Sequence, residues 1–129
     1  MFALSSSSKE RREGVDQRLI DISDLAITIS TIDFGIPRSG GVRTDLEQAE
    51  LFLHGKSKAD GIIKLSRHQS GKALDFYAYV DGAASWEKEH LAIVAAAMLQ
   101  AAIILGYKIK WGGLFRGFQD MPHIQLIDS

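Results

Sequence analysis

Three residues that can bind a metal ion stand at two points of the sequence. His68 opens the stretch SRHQSGKALDFYAYVDG, residues 66–82, and Asp75 lies inside the part of it that most resembles a strand. A buried carboxylate without a partner is costly, so Asp75 is expected to face a cation or to be protonated. His123 supplies a second imidazole near the C-terminal end. Two imidazoles and one carboxylate form a ligand set of catalytic zinc, which leaves the fourth position for water.

The turn between His68 and Asp75 decides whether the two side chains can meet. A straight strand would place them on opposite faces, because side chains alternate with period two. A turn at Ser70 and Gly71 breaks that alternation and allows both side chains to lie on one side. Within the predicted strand 72–80, the alternate apolar residues form the core face, so Asp75 is expected to face a semi-polar cavity. The sequence has no cysteine, which excludes thiolate zinc sites and cysteine nucleophiles.

A hydrolase built on such an ion also needs a base for the attacking water. Asp120, in the sequence DMPH that ends with His123, is the candidate base, and Pro122 restricts the backbone between them. The alternative is that Asp120 only orients His123. Trp111 and the two glycines after it are expected to bring an aromatic ring and bare backbone near a substrate. The alternative for the ring is burial in the core.

Arg43 is the candidate cation for the negative charge that develops at an attacked carbonyl, because it directly precedes a well-capped helix. The alternative is a surface ion pair with Asp45 or Glu47. The two other histidines are interpreted as ordinary polar residues. His54 falls at a helix end, where a cation suits the helix dipole, and His90 has no partner at ligand spacing.

The elements that position these residues alternate between helices and strands. Apolar residues at spacings of three and four predict helices, a capping box starts the second helix, and Ser85 is expected to cap the third. Alternating patterns predict the strands, of which the last two are expected to be antiparallel. The predicted order is helix 15–29, strand 30–36, helix 44–54, strand 72–80, helix 85–105, strand 107–111 and strand 123–127. The fold class is therefore α+β, a small antiparallel sheet flanked by helices, with the metal site on the sheet.

The length, composition and net charge of the chain limit the kinds of partner that it can have. The chain has 129 residues, 46% hydrophobic and 24% charged, which predicts one soluble domain over residues 1–129. A net charge of -1 gives no sign of a nucleic-acid partner. The longest apolar run, 91–105, is shorter than the ~20 residues of a membrane span, so we expect a core helix and no membrane insertion. The protein is expected to be a monomer. The N-terminal sequence lacks the pattern of a signal peptide. We therefore expect the protein to be synthesised in the cytoplasm.

Three motifs together resemble a known family. SRHQSGKALD resembles the S-x-H-x-x-G-x-A-x-D signature of the zinc D-Ala-D-Ala and L-Ala-D-Glu peptidases that cut peptidoglycan stem peptides. GVRTDLEQAELFLHGKSK resembles the segment that these enzymes carry upstream. WGGLFRGFQDMPHIQL is similar to their closing W-G-G…D-x-P-H-x-Q/E-L pattern. The likeness runs in order from about residue 32 to 126 and is strongest to small phage endolysins and bacterial L-Ala-D-Glu endopeptidases.

The resemblance implies one Zn²⁺ ion on the three ligand candidates, with Asp120 as the base and Arg43 stabilising the transition state. It also implies that Gln48 and Ser66 support the site. Trp111 is the further candidate for contact with the substrate. The segment KADGIIKLSRH is longer than the family's usual one, which predicts an altered loop over the site.

The function implied by the resemblance is hydrolysis of stem peptides of peptidoglycan. We expect an L-alanyl-D-glutamate endopeptidase that serves as a phage or prophage endolysin and reaches the wall through a holin. No separate wall-binding domain is expected. One alternative is a carboxypeptidase that trims D-Ala-D-Ala or related ends. A second alternative is a non-catalytic, zinc-stabilised binding module.

Overall fold

The computed structural model describes residues 1–62 and 64–127. The predicted helices and strands follow one another in the predicted order, with additional elements before and between them. Two short 3-10 helices, Arg67–Ser70 and Gly112–Leu114, accompany them. The other elements are α1 (Ser6–Arg11), α2 (Gln17–Ile29), β1 (Asp33–Gly35), α3 (Asp45–Leu53), β2 (Ala73–Asp75), β3 (Tyr77–Val80), β4 (Ala83–Ser85), α4 (Lys88–Leu105), β5 (Ile109–Trp111) and β6 (His123–Leu126). Neither α1 nor β4 was predicted from the sequence.

The strands form two sheets of three strands each, in the orders β1-β3-β4 and β2-β6-β5. All the strand pairs are antiparallel, so the predicted α+β class is confirmed, with two small sheets in place of one. The prediction of a single strand over 72–80 is wrong. The chain leaves the β2-β6-β5 sheet at Phe76, whose backbone N–H donates to Pro122 O at 2.8 Å, and enters the other sheet at β3. The Phe76 side chain is fully buried. The segment 72–80 is divided at this residue into β2, which belongs to one sheet, and β3, which belongs to the other.

The register of the second sheet brings two site residues together. In the β2–β6 pair, Asp75 lies directly opposite His123. Strand β5 pairs with the other side of β6, which confirms the predicted antiparallel pair of the last two strands. The site therefore stands at one end of the central strand, β6.

Helices α2 and α4 pack against each other and supply much of the core. Seven of the eighteen residues of α4 are buried, Met98 among them, while Ile103 is 79% exposed. One side of the predicted core helix is therefore buried and the other faces outward. Among the described residues, α4 alone is long and apolar enough to cross a membrane by length and composition, a test that core helices also pass.

Two predicted helix starts had different outcomes. The capping box of α3 is confirmed, because Thr44 Oγ1 accepts from the Glu47 N–H and the Glu47 carboxylate accepts from the Thr44 N–H. The prediction that Ser85 caps α4 is wrong. Ser85 ends β4, the N-cap position belongs to Glu87, and no side chain caps this helix. The Ser85 hydroxyl instead lies 2.7 Å from His90 Nδ1.

Candidate metal centre

The first 3-10 helix holds His68 in the interior. Ser66 stands at its N-cap, and Ser66 Oγ accepts from the His68 backbone N–H at 3.2 Å. Gly71 ends the helix with a φ of 73°, a left-handed conformation that glycine adopts without strain. This turn brings His68 to the same side as Asp75, as predicted. Ser66 therefore acts on the site by fixing the backbone of His68.

Three side-chain atoms converge on one point. His68 Nε2 lies 3.1 Å from Asp75 Oδ1, and His123 Nδ1 lies 3.0 Å from the same oxygen. The two ring nitrogens are 3.3 Å apart. The potential ligand atoms of these three residues all lie within 4.8 Å of one another, so the group could hold a metal ion.

The outer nitrogens of both imidazoles face oxygen acceptors. His68 Nδ1 lies 2.9 Å from Gly41 O, and His123 Nε2 lies 2.9 Å from Gln125 Oε1. Because an oxygen acceptor requires the proton on the nitrogen beside it, the inner nitrogens His68 Nε2 and His123 Nδ1 are left with lone pairs. Two lone pairs and the Asp75 carboxylate then face each other. A cation at their centre removes this repulsion, so the donor set fits a divalent metal ion such as zinc.

The charge distribution also favours a cation at this point. Burial alone would raise the pKa of Asp75, but the adjacent imidazoles of His68 and His123 hold that pKa well below its usual range. Burial opposes a charge on His123, yet the hydrogen bond and the negative charge of Asp75 raise the pKa of its imidazole. The carboxylate is thus ionised and attracts positive charge to the ring nitrogens.

Arg43 binds the second oxygen of the same carboxylate. Its Nη2 lies 3.1 Å from Asp75 Oδ2, while its Nε donates to Ser39 O at 2.8 Å. The alternative ion pair with the α3 carboxylates is wrong, because Glu47 takes part in the capping box and Asp45 accepts from Gln69. Arg43 therefore leaves Asp75 Oδ1 directed at the imidazoles.

Gln48 links Arg43 to the loop that follows α3. This fully buried side chain accepts from Arg43 Nη1 at 3.0 Å. Its amide nitrogen donates to Ser57 Oγ and to Ala59 O, both at 2.7 Å. Gln48, which was predicted to support the site, thus holds both the Arg43 guanidinium and the loop that carries Ser57 and Ala59.

Asp120 lies beside the three converging atoms. Its Oδ2 is 3.7 Å from His123 Nδ1, and its side chain is 36% exposed. Burial raises the pKa of Asp120, and the negative charge of Asp75 raises it further. A carboxyl group with a raised pKa next to a candidate metal site has the properties of a general acid–base group.

The tryptophan and glycines of WGG hold the segment that carries Asp120 and His123. The Trp111 indole N–H donates to Met121 O at 2.7 Å. A Cβ at Gly112 would collide with the Asp120 backbone oxygen, and one at Gly113 with the Trp111 ring. The glycines therefore make room for the protein's own backbone and ring, and the expected exposure of bare backbone to substrate is not observed.

Two functional positions escaped the sequence analysis. The first is the glycine pair of PRSGGVR, where Gly40 O accepts from the Asp75 N–H and Gly41 O meets the His68 ring. Adjacent glycines just before Arg43 were the available signal. The second is Gln125, which shares a face of β6 with His123 because the two residues are spaced by two.

His68, Asp75 and His123 lie in the wall of a cavity of about 390 Å³. His54 and His90 take no part in it and make local hydrogen bonds, as predicted. Two aromatic rings stand in its wall, and the Phe115 ring lies 5.7 Å from that of His123. The residues that line the cavity are Arg43, Lys56, Ser57, Lys58, Ala59, Lys64, Leu65, Ser66, Arg67, His68, Asp75, Phe115, Phe118, Asp120, Pro122, His123 and Gln125.

A sequence model of the family described as phage L-alanyl-D-glutamate peptidase matches residues 1–127. The chain belongs to this family. It is similar to the L-alanyl-D-glutamate peptidase of Escherichia phage T5, with 28% identity over 138 positions that cover 98% of each chain. It is also 31% identical over 100 positions to the peptidoglycan L-alanyl-D-glutamate endopeptidase CwlK of Bacillus subtilis strain 168. That match covers 69% of this chain and 59% of CwlK.

A solved structure supports the same family at the level of the fold. The L-Ala D-Glu endopeptidase ChiX of Serratia marcescens superimposes with a TM-score of 0.84 and is 32% identical in sequence. The match covers 97% of this chain and 90% of ChiX. The predicted resemblance to the L-Ala-D-Glu peptidases is therefore confirmed, together with the enzyme class and the fold class.

Proposed function

We propose that this protein is a zinc-dependent endopeptidase that hydrolyses the L-Ala–D-Glu bond of peptidoglycan stem peptides. One observation carries the proposal: three acceptor atoms, from His68, Asp75 and His123, converge beside the carboxyl group of Asp120 in an open cavity. Membership of the L-alanyl-D-glutamate peptidase family supports the choice of bond.

The ligand residues and Asp120 have different roles in the proposed reaction. When bound at His68, Asp75 and His123, zinc supplies the Lewis acidity that acidifies water and polarises a carbonyl. Asp120 accepts a proton from the attacking water and returns it to the departing amine. Its pKa, raised by burial, suits a group that must both take up and release a proton.

Arg43 supplies positive charge in the wall of the cavity. Its guanidinium is held by Ser39, Gln48 and Asp75, so it needs no rearrangement during the reaction. A fixed cation near the attacked carbonyl lowers the free energy of the negative charge that develops there. Arg43 also keeps Asp75 in the orientation that the metal ion requires.

The biological setting that we propose is phage-induced lysis. The match to the phage T5 peptidase over nearly the full length of both chains supports a phage or prophage endolysin. Such an enzyme is made in the host cytoplasm and is released to the wall by a holin. Its partner is the stem peptide of peptidoglycan, on which it acts as a monomer.

Mass spectrometry of digested muropeptides tests the bond. We expect glycan fragments that end in L-Ala together with peptides that begin with D-Glu. Elemental analysis should find one zinc ion per chain, and a chelator should abolish clearing of permeabilised Gram-negative cells. Free D-Ala as the product would overturn the endopeptidase in favour of a carboxypeptidase.

Asp120→Ala separates catalysis from binding. Loss of a general acid–base group lowers a rate by about 10²- to 10⁴-fold, while the zinc content and the Tm should stay close to those of the wild type. Glu10→Gln, at an exposed carboxylate of α1, is the control and should cleave normally. Unchanged cleavage by Asp120→Ala would remove Asp120 from the mechanism and leave the binding-module alternative open.

A further inference from the structure

The lining of the cavity is cationic although the chain as a whole carries a net charge of -1. Its anionic members are Asp75 and Asp120. Its cationic members are Arg43, Lys56, Lys58, Lys64 and Arg67. A recess with an excess of positive charge raises the local concentration of anionic ligands and accelerates their capture.

Three of these cations have no carboxylate partner among residues 1–62 and 64–127. Arg43 is bound to Asp75, and Arg67 donates to Leu126 O. Lys56, Lys58 and Lys64, which we call the cavity lysines, are exposed. In the part of the chain that the structure describes, no ion pair involves them. Their ammonium groups are therefore available to a ligand.

Hydrogen bonds hold the backbone beside Lys58 and at Lys64. Gln48 holds Ser57 and Ala59, the residues on either side of Lys58. The Lys64 N–H donates to Asp60 Oδ1 at 2.9 Å. The Lys58 ammonium lies 5.3 Å above the Phe118 ring, which also lines the cavity. Fixed backbone with free ammonium groups suits recognition of a charged group on a bound substrate.

The proposed substrate carries such a group beside the bond that is cut. Glutamate has two carboxyl groups, and a peptide chain continues through one of them only. The residue that follows the scissile bond in an L-alanyl-D-glutamyl peptide therefore keeps a free carboxylate. We infer that the cavity lysines bind this carboxylate and make the enzyme selective for the free acid over its amide. The inference rests on the proposed function.

Two synthetic peptides test the selectivity. Both contain N-acetyl-L-alanyl-D-glutamate within a stem peptide whose C-terminus is amidated, and they differ only at the free carboxyl of the glutamate, carboxylate or carboxamide. For the wild type we expect kcat/KM to be about tenfold higher for the carboxylate, the size of one charge-assisted hydrogen bond. The preference should shrink as ionic strength rises.

The triple variant Lys56→Gln, Lys58→Gln and Lys64→Gln should lose this preference, with the carboxamide cleaved at the wild-type rate. Single variants then show which lysine contributes most. Lys108→Gln, at an exposed lysine outside the cavity lining, is the control and should keep the full preference. Calorimetric binding of both peptides to Asp120→Ala provides a readout without turnover, and the carboxylate should bind about tenfold more tightly.

The outcomes separate the two proposals. If the wild type cleaves both peptides equally well, or the triple variant keeps the preference, the role of the cavity lysines is overturned while the peptidase activity stands. If the wild type cleaves neither peptide, the proposed function itself fails. Tighter binding of the carboxylate peptide to Asp120→Ala in that case would still support the cavity lysines as an anion site.

Discussion

Met98 and His68 are both buried, but Met98 is surrounded by apolar side chains and His68 by polar groups. Met98 lies on α4 in the apolar core cluster and is fully buried. His68, 2% exposed, has Gly41 O beside one ring nitrogen and Asp75 and His123 beside the other. The core is held by removal of apolar surface from water, whereas the metal centre is held by hydrogen bonds and charge. Activity and stability should therefore respond to different substitutions.

The largest effect is expected from Asp75→Asn in the metal centre. An amide keeps the shape but loses the anionic ligand, so we expect the zinc content to fall far below one ion per chain. The rate of cleavage should fall by about 10³-fold or more, because a variant without the ion loses several kcal/mol of transition-state stabilisation. Elemental analysis and the peptide assay measure both. Wild-type zinc content in this variant would contradict the ligand assignment.

Met98→Ala tests the core side of the comparison. Removing this buried side chain should lower the free energy of unfolding by about 2–5 kcal/mol, as measured by urea denaturation. Below the transition the variant should still bind zinc and cleave. Ile103→Ala is the matched control, because Ile103 lies on the same helix but is 79% exposed. Its effect should stay within about 0.5 kcal/mol, and an equal loss in both variants would refute the division of α4 into two faces.

Gln125→Ala sharpens the comparison within the metal centre. The amide oxygen of Gln125 faces His123 Nε2 at 2.9 Å and fixes the ring so that Nδ1 points inward. Loss of such a partner typically weakens metal binding by about 10- to 100-fold, which competition with a chelator measures. Gln125→Glu retains an acceptor and should bind zinc close to the wild-type affinity. Equal affinities in the alanine and glutamate variants would show that the ring needs no such support.

The smallest effect is expected at Asp16, which connects the two regions. This N-cap residue of α2 accepts from the Arg18 N–H and pairs with Lys72 at 2.7 Å, and its own N–H donates to Gly71 O. Hydrogen bonds from the Arg18 and Lys72 side chains hold the pKa of Asp16 well below its usual range. Asp16→Asn keeps an N-cap acceptor but loses the charge that pairs with Arg18 and Lys72, so it should cost about 0.2–1 kcal/mol at pH 7.

The pH dependence of that cost has a definite sign. Because the pKa of Asp16 is lower in the folded chain than in the unfolded one, the stabilisation that Asp16 gives the fold is complete above the unfolded value of ~3.9. It disappears as the pH falls toward the folded pKa. The difference in free energy of unfolding between wild type and Asp16→Asn should therefore narrow from pH 7 to pH 3. A difference that widens on acidification would exclude the ion pairs as its source.

Local signals in the sequence were sufficient for several parts of the fold. The Thr44–Glu47 capping box, the turn at Gly71 and the antiparallel last two strands each depend on atoms a few residues apart or on one regular pattern. The ligand candidates were also evident, because only a few residue types bind zinc and the motifs place them in order.

Other features required contacts between distant parts of the chain. The division of 72–80 occurs at Phe76, which is fully buried and whose N–H donates to Pro122 O in a distant part of the chain, and no local pattern marks it. Ser85 has the residue type of a helix cap, yet pairing of β4 with β3 took it into a strand. Tertiary structure overrode a local preference in both places.

What the sequence determined by itself is the set of residues at the site: His68, Asp75 and His123 as ligand candidates, with Asp120 in the same motif as His123. It also indicated that Asp75 and His123 lie on strands. The tertiary structure decided the partners of each group. It directed Arg43 to Asp75 instead of the carboxylates on its own helix, and it set Gly41 O against the His68 ring. Every residue has a carbonyl oxygen, so composition cannot indicate which one meets an imidazole. Only the packing of the whole chain selects it.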